Sequence, residues 1–85
     1  MRKGEQTAKR NEHDYPHIVE IVVPEFGFGR RLDDMSLAHR KLGIEQHRGG
    51  GRRDSEGHFY ARWCFADREH AGSFARAFGG SVVRE

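Results

Sequence analysis

The densest chemistry in this chain lies between Arg48 and Arg53, where the sequence reads Arg-Gly-Gly-Gly-Arg-Arg. A guanidinium is a planar fork of donors that matches phosphate oxygens, and glycines let backbone amides approach the same anion. Shortly after, Tyr60 and Arg62 fall on one side of a strand-like run. An aromatic ring there offers a face on which an unpaired base can stack. Arg48, Arg52, Arg53, Tyr60 and Arg62 are therefore the candidate anion- or nucleic-acid-binding set. A glycine-rich loop over 48–57 is the flexible carrier of its first three members.

Other chemistries lack their residues. Cys64 is the single cysteine, so no internal disulfide and no Cys-x-x-Cys site can form. Of the six histidines, His13 and His17 are four apart, but Pro16 denies them a shared helical face. His39 and His70 fall on or near expected helices, while His47 and His58 flank the glycine loop. None clusters with the cysteine, so neither a metal nor another cofactor is expected. No Ser-His-Asp set assembles from spacing, no catalytic residue is assigned, and the expectation is a protein that is not an enzyme.

These residues must be positioned by a small fold. At 85 residues the chain suffices for one domain. Leu, Ile, Val and Phe number 17 of the 85, which predicts a modest core, and a net charge of only +2 argues against a disordered chain. The longest apolar run, 21–24, is far too short to span a bilayer, and the polar N-terminal residues offer no signal-peptide apolar region. A cytoplasmic protein with no membrane partner is expected. Basic charge gathers in Arg2, Lys3, Lys9 and Arg10 and again in the 48–53 loop.

Residues 1–16 show no apolar periodicity and read as a basic flexible tail. A single domain follows over 17–85. Ile and Val enrich a first strand at 17–23, which Pro24 stops. A helix over 30–42 carries Leu32, Met35, Ala38, His39 and Leu42 as its stripe, with Gly43 as a left-handed end and Ile44 folding back. A weak second strand spans 45–48. The third, 58–66, alternates Phe59, Ala61, Trp63 and Phe65 on one face with His58, Tyr60, Arg62 and Cys64 on the other. Asp67 can cap a helix over 68–78 with Ala71, Phe74, Ala75 and Phe78 inward. Gly79 and Gly80 end it before a last strand at 81–84.

Strand, helix, strand, strand, helix, strand is the order of the ferredoxin-like α/β plait. It is an α+β fold whose four-stranded antiparallel sheet has spatial order 4-1-3-2, with two helices on one face. From Tyr60 onward the sequence resembles the second half of an RNA-recognition-motif domain. Tyr-Ala-Arg-Trp-Cys-Phe-Ala-Asp at 60–67 is similar to that family's aromatic third strand, and 65–71, Phe74-Ala75 and Gly79-Gly80 to its continuation into a helix. The resemblance implies an open sheet on which bases stack. Here Arg62 stands where the family usually has an aromatic, and the first strand has none. Glu20 would face the same surface and can pair with Arg62 across neighbouring strands. A second, superficial resemblance is to acylphosphatase, in Gly27-Phe28-Gly29-Arg30. The asparagine which that enzyme needs has no counterpart beyond Asn11, outside the expected domain.

The leading expectation is a non-enzymatic module that associates with itself or a protein partner, as a homodimer in the simplest case, through Ile18, Val22, Tyr60 and Cys64 on the open sheet face. The second is weak single-stranded RNA or DNA binding through Tyr60, Arg62 and the 48–53 loop. An acylphosphatase-like hydrolase comes third.

Overall fold

Alternation along one strand organises the molecule. In the computed structural model, which describes residues 3–84 with side chains from Thr7 onward, the run Phe59–Phe65 forms the central strand β4. Ahead of it come helix α1 (Lys3–Asp14), strand β1 (His17–Val22), helix α2 (Arg31–Leu42) and the short strands β2 (His47–Arg48) and β3 (Arg52–Arg53). Helix α3 (Arg68–Phe78) and strand β5 (Ser81–Arg84) follow. Among the described residues the chain is thus an α+β fold of three helices and a five-stranded antiparallel sheet. The sheet path is β2-β4-β1-β5, with β3 pairing β4 beside β2.

Local sequence explains the helix ends. Asp67 accepts the Glu69 N–H at 2.8 Å and starts α3 where a capping side chain is needed. Gly43 takes φ 71°, and Ile44 N–H reaches back to the His39 carbonyl at 3.1 Å, the bond that closes a Schellman end. Gly79 and Gly80 repeat the device on α3, with Gly80 N–H to the Ala75 carbonyl at 2.8 Å. A Cβ on Gly80 would come within 2.9 Å of both the Glu20 carbonyl and Val19, so β5 can lie against β1 only if this residue is glycine.

Val19, Ile21, Trp63 and Phe65 from the sheet meet Met35 of α2 and Ala71, Phe74 and Ala75 of α3 in one core. An aromatic cluster joins β4 to α3: Phe74 lies 5.5 Å from Trp63, 5.2 Å from Phe65 and 4.8 Å from Phe78, centroid to centroid. The Trp63 indole N–H is satisfied by Gln46 Oε1 at 3.3 Å. His39, on the expected stripe of α2, is buried between Phe65 and Phe74.

Several expectations need correction. The element order is not a clean strand-helix-strand-strand-helix-strand, because α1 precedes it and β3 interrupts the glycine loop. Much of the segment read as a flexible tail is helix α1, which docks through polar contacts rather than an apolar stripe. Met1, Arg2 and Glu85, the outer ends of the expected tail and domain, lie outside the described residues. The second strand shrinks to two residues, since its sequence lacks β-branched side chains. On α2 only Met35 and His39 are buried, and Leu32 and Leu42 are exposed. Phe59, expected inward, is 55% exposed.

Candidate functional site

Strand register sets out the face opposite the core. Ile18 lies across from Cys64, Glu20 from Arg62 and Val22 from Tyr60. These six residues alternate with the core positions, so they share the second sheet face. At one end that face is closed: Ile18 and Cys64 are 2% and 1% exposed. The last turn of α1 and the residue after it occupy this region, with Glu12 bonded to Arg62 and Tyr15 stacked on His47 at 3.7 Å between ring centroids. The expected association face of Ile18, Val22, Tyr60 and Cys64 is therefore not one open surface. Val22 stays exposed, Tyr60 is half-buried, and the other two are sealed.

The middle of the face is an ionic chain. Glu20, buried, accepts Arg52 Nε and Arg62 Nε on the same oxygen, each at 2.8 Å. The hydrogen bond from Arg52, with the hydrogen bond and charge of Arg62, outweighs the burial penalty and holds the Glu20 carboxyl below its ordinary pKa. Arg62 Nη1 donates to Glu12 Oε1 at 2.9 Å, and Glu12 Oε2 accepts the Gly50 N–H at 2.6 Å. The pairing of Glu20 with Arg62 is the one expected across neighbouring strands; the part of Glu12 is new.

Arg52 also lies over the Tyr60 ring, its guanidinium carbon 4.1 Å from the centroid, and Tyr60 donates its hydroxyl to Asp54 Oδ2 at 3.1 Å. Asp54 additionally accepts the backbone N–H groups of Glu56 and His58, each at 2.9 Å. These bonds, that of the His58 amide foremost, hold its pKa down at about 2. Asp54 is thus a fixed negative knot that shapes the turn into β4.

The arginine triplet does not converge. Arg48 pairs in register with Trp63 and Arg53 with Phe59, on the core side of the sheet, whereas Arg52 pairs with Tyr60 on the other. Each stacks on its partner, Arg48 at 4.1 Å over Trp63 and Arg53 at 5.0 Å over Phe59. Though Arg48 is exposed overall, its guanidinium is partly desolvated there, which lowers its pKa. Of the candidate anion-binding set, then, Arg52, Tyr60 and Arg62 come together, and Arg48 and Arg53 cap the other face.

Burial, with Glu12 nearby, pushes the Cys64 thiol up to about 11, so it is a poor nucleophile. Among the described residues no three of His, Cys, Asp and Glu converge as a metal site needs. No described helix is long and apolar enough to cross a membrane. In the 24–29 connection Phe28 packs edge-on against Trp63 at 5.7 Å, while Phe26 is 93% exposed. This connection lies beside the start of β4, where Val23 N–H bonds the Phe59 carbonyl at 2.8 Å, and Val23, Pro24 and Phe59 help line a cleft there. Val22, Phe26 and Phe59 thus expose apolar surface at the end of the sheet that α1 leaves uncovered.

The chain matches no protein-family model, no curated protein and no solved structure.

Proposed function

We propose that the chain is a small non-enzymatic association module built on a ferredoxin-like α/β plait. The sheet path β2-β4-β1-β5, wholly antiparallel, with α2 and α3 meeting the same core, supports that architecture once α1 and β3 are set aside as additions. The observation that carries the functional reading is the exposure of Phe26 and Phe59 at one end of the sheet, with Arg53 over the Phe59 ring and Val22 exposed on the opposite face there. Aromatic side chains flanked by arginine are the composition of energetic centres in protein interfaces. A second copy of this chain is the simplest occupant, because a domain this small gains core by burying apolar surface between copies.

Sedimentation velocity over a rising concentration series tests this. The expected result is a dimer favoured at high micromolar concentration and shifted to monomer in Phe59→Asp combined with Phe26→Asp. Both side chains are exposed, so the double variant should fold. A strictly monomeric wild type, or a dimer indifferent to the double variant, overturns the reading.

A second reading, weak single-stranded nucleic-acid binding, draws support from the neighbouring Arg52–Tyr60 and Arg53–Phe59 stacks. Both rings already carry a guanidinium, and Glu20 answers Arg52 and Arg62, which is why this reading stands behind association.

A further inference from the structure

The carboxylate of Glu12 sits where an outside anion would sit. It takes the Gly50 amide on one oxygen, at 2.6 Å, and Arg62 Nη1 on the other, at 2.9 Å. Lys9, Gly51 and Arg84 line the same surface hollow. A backbone N–H from a three-glycine turn together with a guanidinium is the donor set that holds a phosphate oxyanion, which accepts the same bonds with more charge. The turn is open enough for this because it is glycine: a Cβ on Gly49 would meet Glu12 and Arg62 at 3.0 and 3.1 Å.

The carrier of Glu12 is lightly held. Helix α1 has 12 residues, too few for an isolated helix of polar sequence to persist in water. Among its other contacts are polar ones, Asn11 Nδ2 donating to the Arg48 carbonyl and Arg84 to the Glu12 carbonyl. Water can replace each of them. Arg62 behaves differently, because Glu20 anchors it from within the sheet whether or not α1 is docked. With α1 lifted, the Gly50 amide and an outward edge of Arg62 face solvent. Arg52, Arg62 and Arg84 then stand against Glu20, with Asp54 beside Arg52.

We propose that Glu12 is the built-in occupant of a phosphate-binding seat formed by Gly50, Arg62 and Arg84, and that α1 is a strap which an incoming phosphate group displaces. The seat is made of different residues from Val22, Phe26 and Phe59, so the proposal stands whether or not the chain self-associates. The ligand chemistry is a phosphate oxyanion, either free or as a nucleic-acid backbone, and two probes separate the sources.

The test uses the full chain and Glu12→Gln, titrated with inorganic pyrophosphate and with a fluorescein-labelled oligouridylate at low salt. Glu12→Gln should bind at least one probe about tenfold more tightly than wild type, a coupling typical of an internal competitor. It should also speed hydrogen exchange at the Gly50 amide. Gain with both probes points to the phosphate group itself. Gain with the oligonucleotide alone, steeply reduced by salt, points to a polynucleotide backbone. Adding Arg62→Gln to Glu12→Gln should return binding to the wild-type level. Glu69→Gln, on exposed surface of α3, makes the same change in net charge and should leave binding as it is. The proposal is overturned if Glu12→Gln binds neither probe more tightly, or if the Gly50 amide stays protected. An equal gain from Glu69→Gln, or indifference to Arg62→Gln, overturns it as well.

Discussion

The two faces of the sheet are held by opposite physics. On one, Trp63, Phe65 and Val19 meet Met35, Phe74 and Ala75 with almost no access to water. On the other, Arg62, Glu20, Arg52 and Glu12 meet through charge-assisted hydrogen bonds, with Ile18 and Cys64 buried at one end. Apolar burial is non-directional and grows with area, so any truncation on the first face is costly. Ion pairs near the surface return little net free energy, since desolvation and side-chain ordering offset most of the attraction. They fix geometry more than they stabilise. The first face is therefore what folds, and the second is where a segment can be docked and released.

The largest expected effect breaks the first face. Trp63→Ala removes a fully buried indole that touches Phe28 and Phe74 and carries Arg48 on its ring. Such truncations cost about 3–5 kcal/mol, a large part of the stability of a small domain. Urea denaturation followed by far-ultraviolet circular dichroism should show the variant unfolded or nearly so. A midpoint close to wild type would mean that the core does not depend on this strand, and the contrast between the faces would fail.

A smaller effect sharpens the comparison through pH. His39 is buried between Phe65 and Phe74; its Nδ1 bonds the Met35 carbonyl at 2.8 Å, and its Nε2 has no hydrogen-bond partner. Burial is the chief cause holding its pKa below the ordinary value, with His47 adding slightly, so the folded state keeps the ring neutral. The unfolded chain takes up a proton first as pH falls. Stability from this site is present above the ordinary histidine pKa and is lost as pH drops below about 6.5. Glu20 and Asp54 also have lowered pKa values, and their contributions hold until the pH falls below the ordinary carboxylate range. Denaturation midpoints between pH 7 and 5 should therefore decline in wild type and stay flatter in His39→Leu. Equal slopes in both proteins would show that His39 is not the source of the decline over this range, since the carboxylates of the charged face stay ionised there.

What the sequence made legible follows the same division. Asp67, Gly43 with Ile44, and Gly79 act within a few residues of themselves, and each ends a helix where local chemistry requires. Alternation along 59–65 placed Trp63 and Phe65 correctly, and a cross-strand argument found Glu20 with Arg62. The alternation also put Phe59 on the side of Trp63 and Phe65, but at the start of β4 the ring lies beyond the core, exposed under Arg53. Helix α1 was hidden because it has no apolar stripe to betray it. Its partners, Gly50 and Arg62, stand 38 and 50 residues along the chain from Glu12. Strand β3 was hidden because Arg-Arg has no strand preference of its own and is ordered by pairing with Tyr60 and Phe59. The arginine triplet misled for a related reason. Proximity in sequence says nothing about side when the segment becomes two short strands whose residues alternate between faces.

The smallest effect asks whether the two faces unfold as one unit. Asn11→Ala deletes the bond from Asn11 Nδ2 to the Arg48 carbonyl, an exposed contact 2.9 Å long. One such bond contributes about 0.5–1.5 kcal/mol at most, and solvent access puts this one at the low end. The global denaturation midpoint should barely move. Hydrogen exchange should nonetheless quicken across α1 and at Gly50, whose amide is covered by Glu12, while the amides of β4 keep their protection. That pattern defines α1 as a separately opening element of low local stability, which a displaceable strap must be. If the β4 amides quicken in step with α1, the helix belongs to the same cooperative unit as the core, and the division between a folding face and a docking face does not hold.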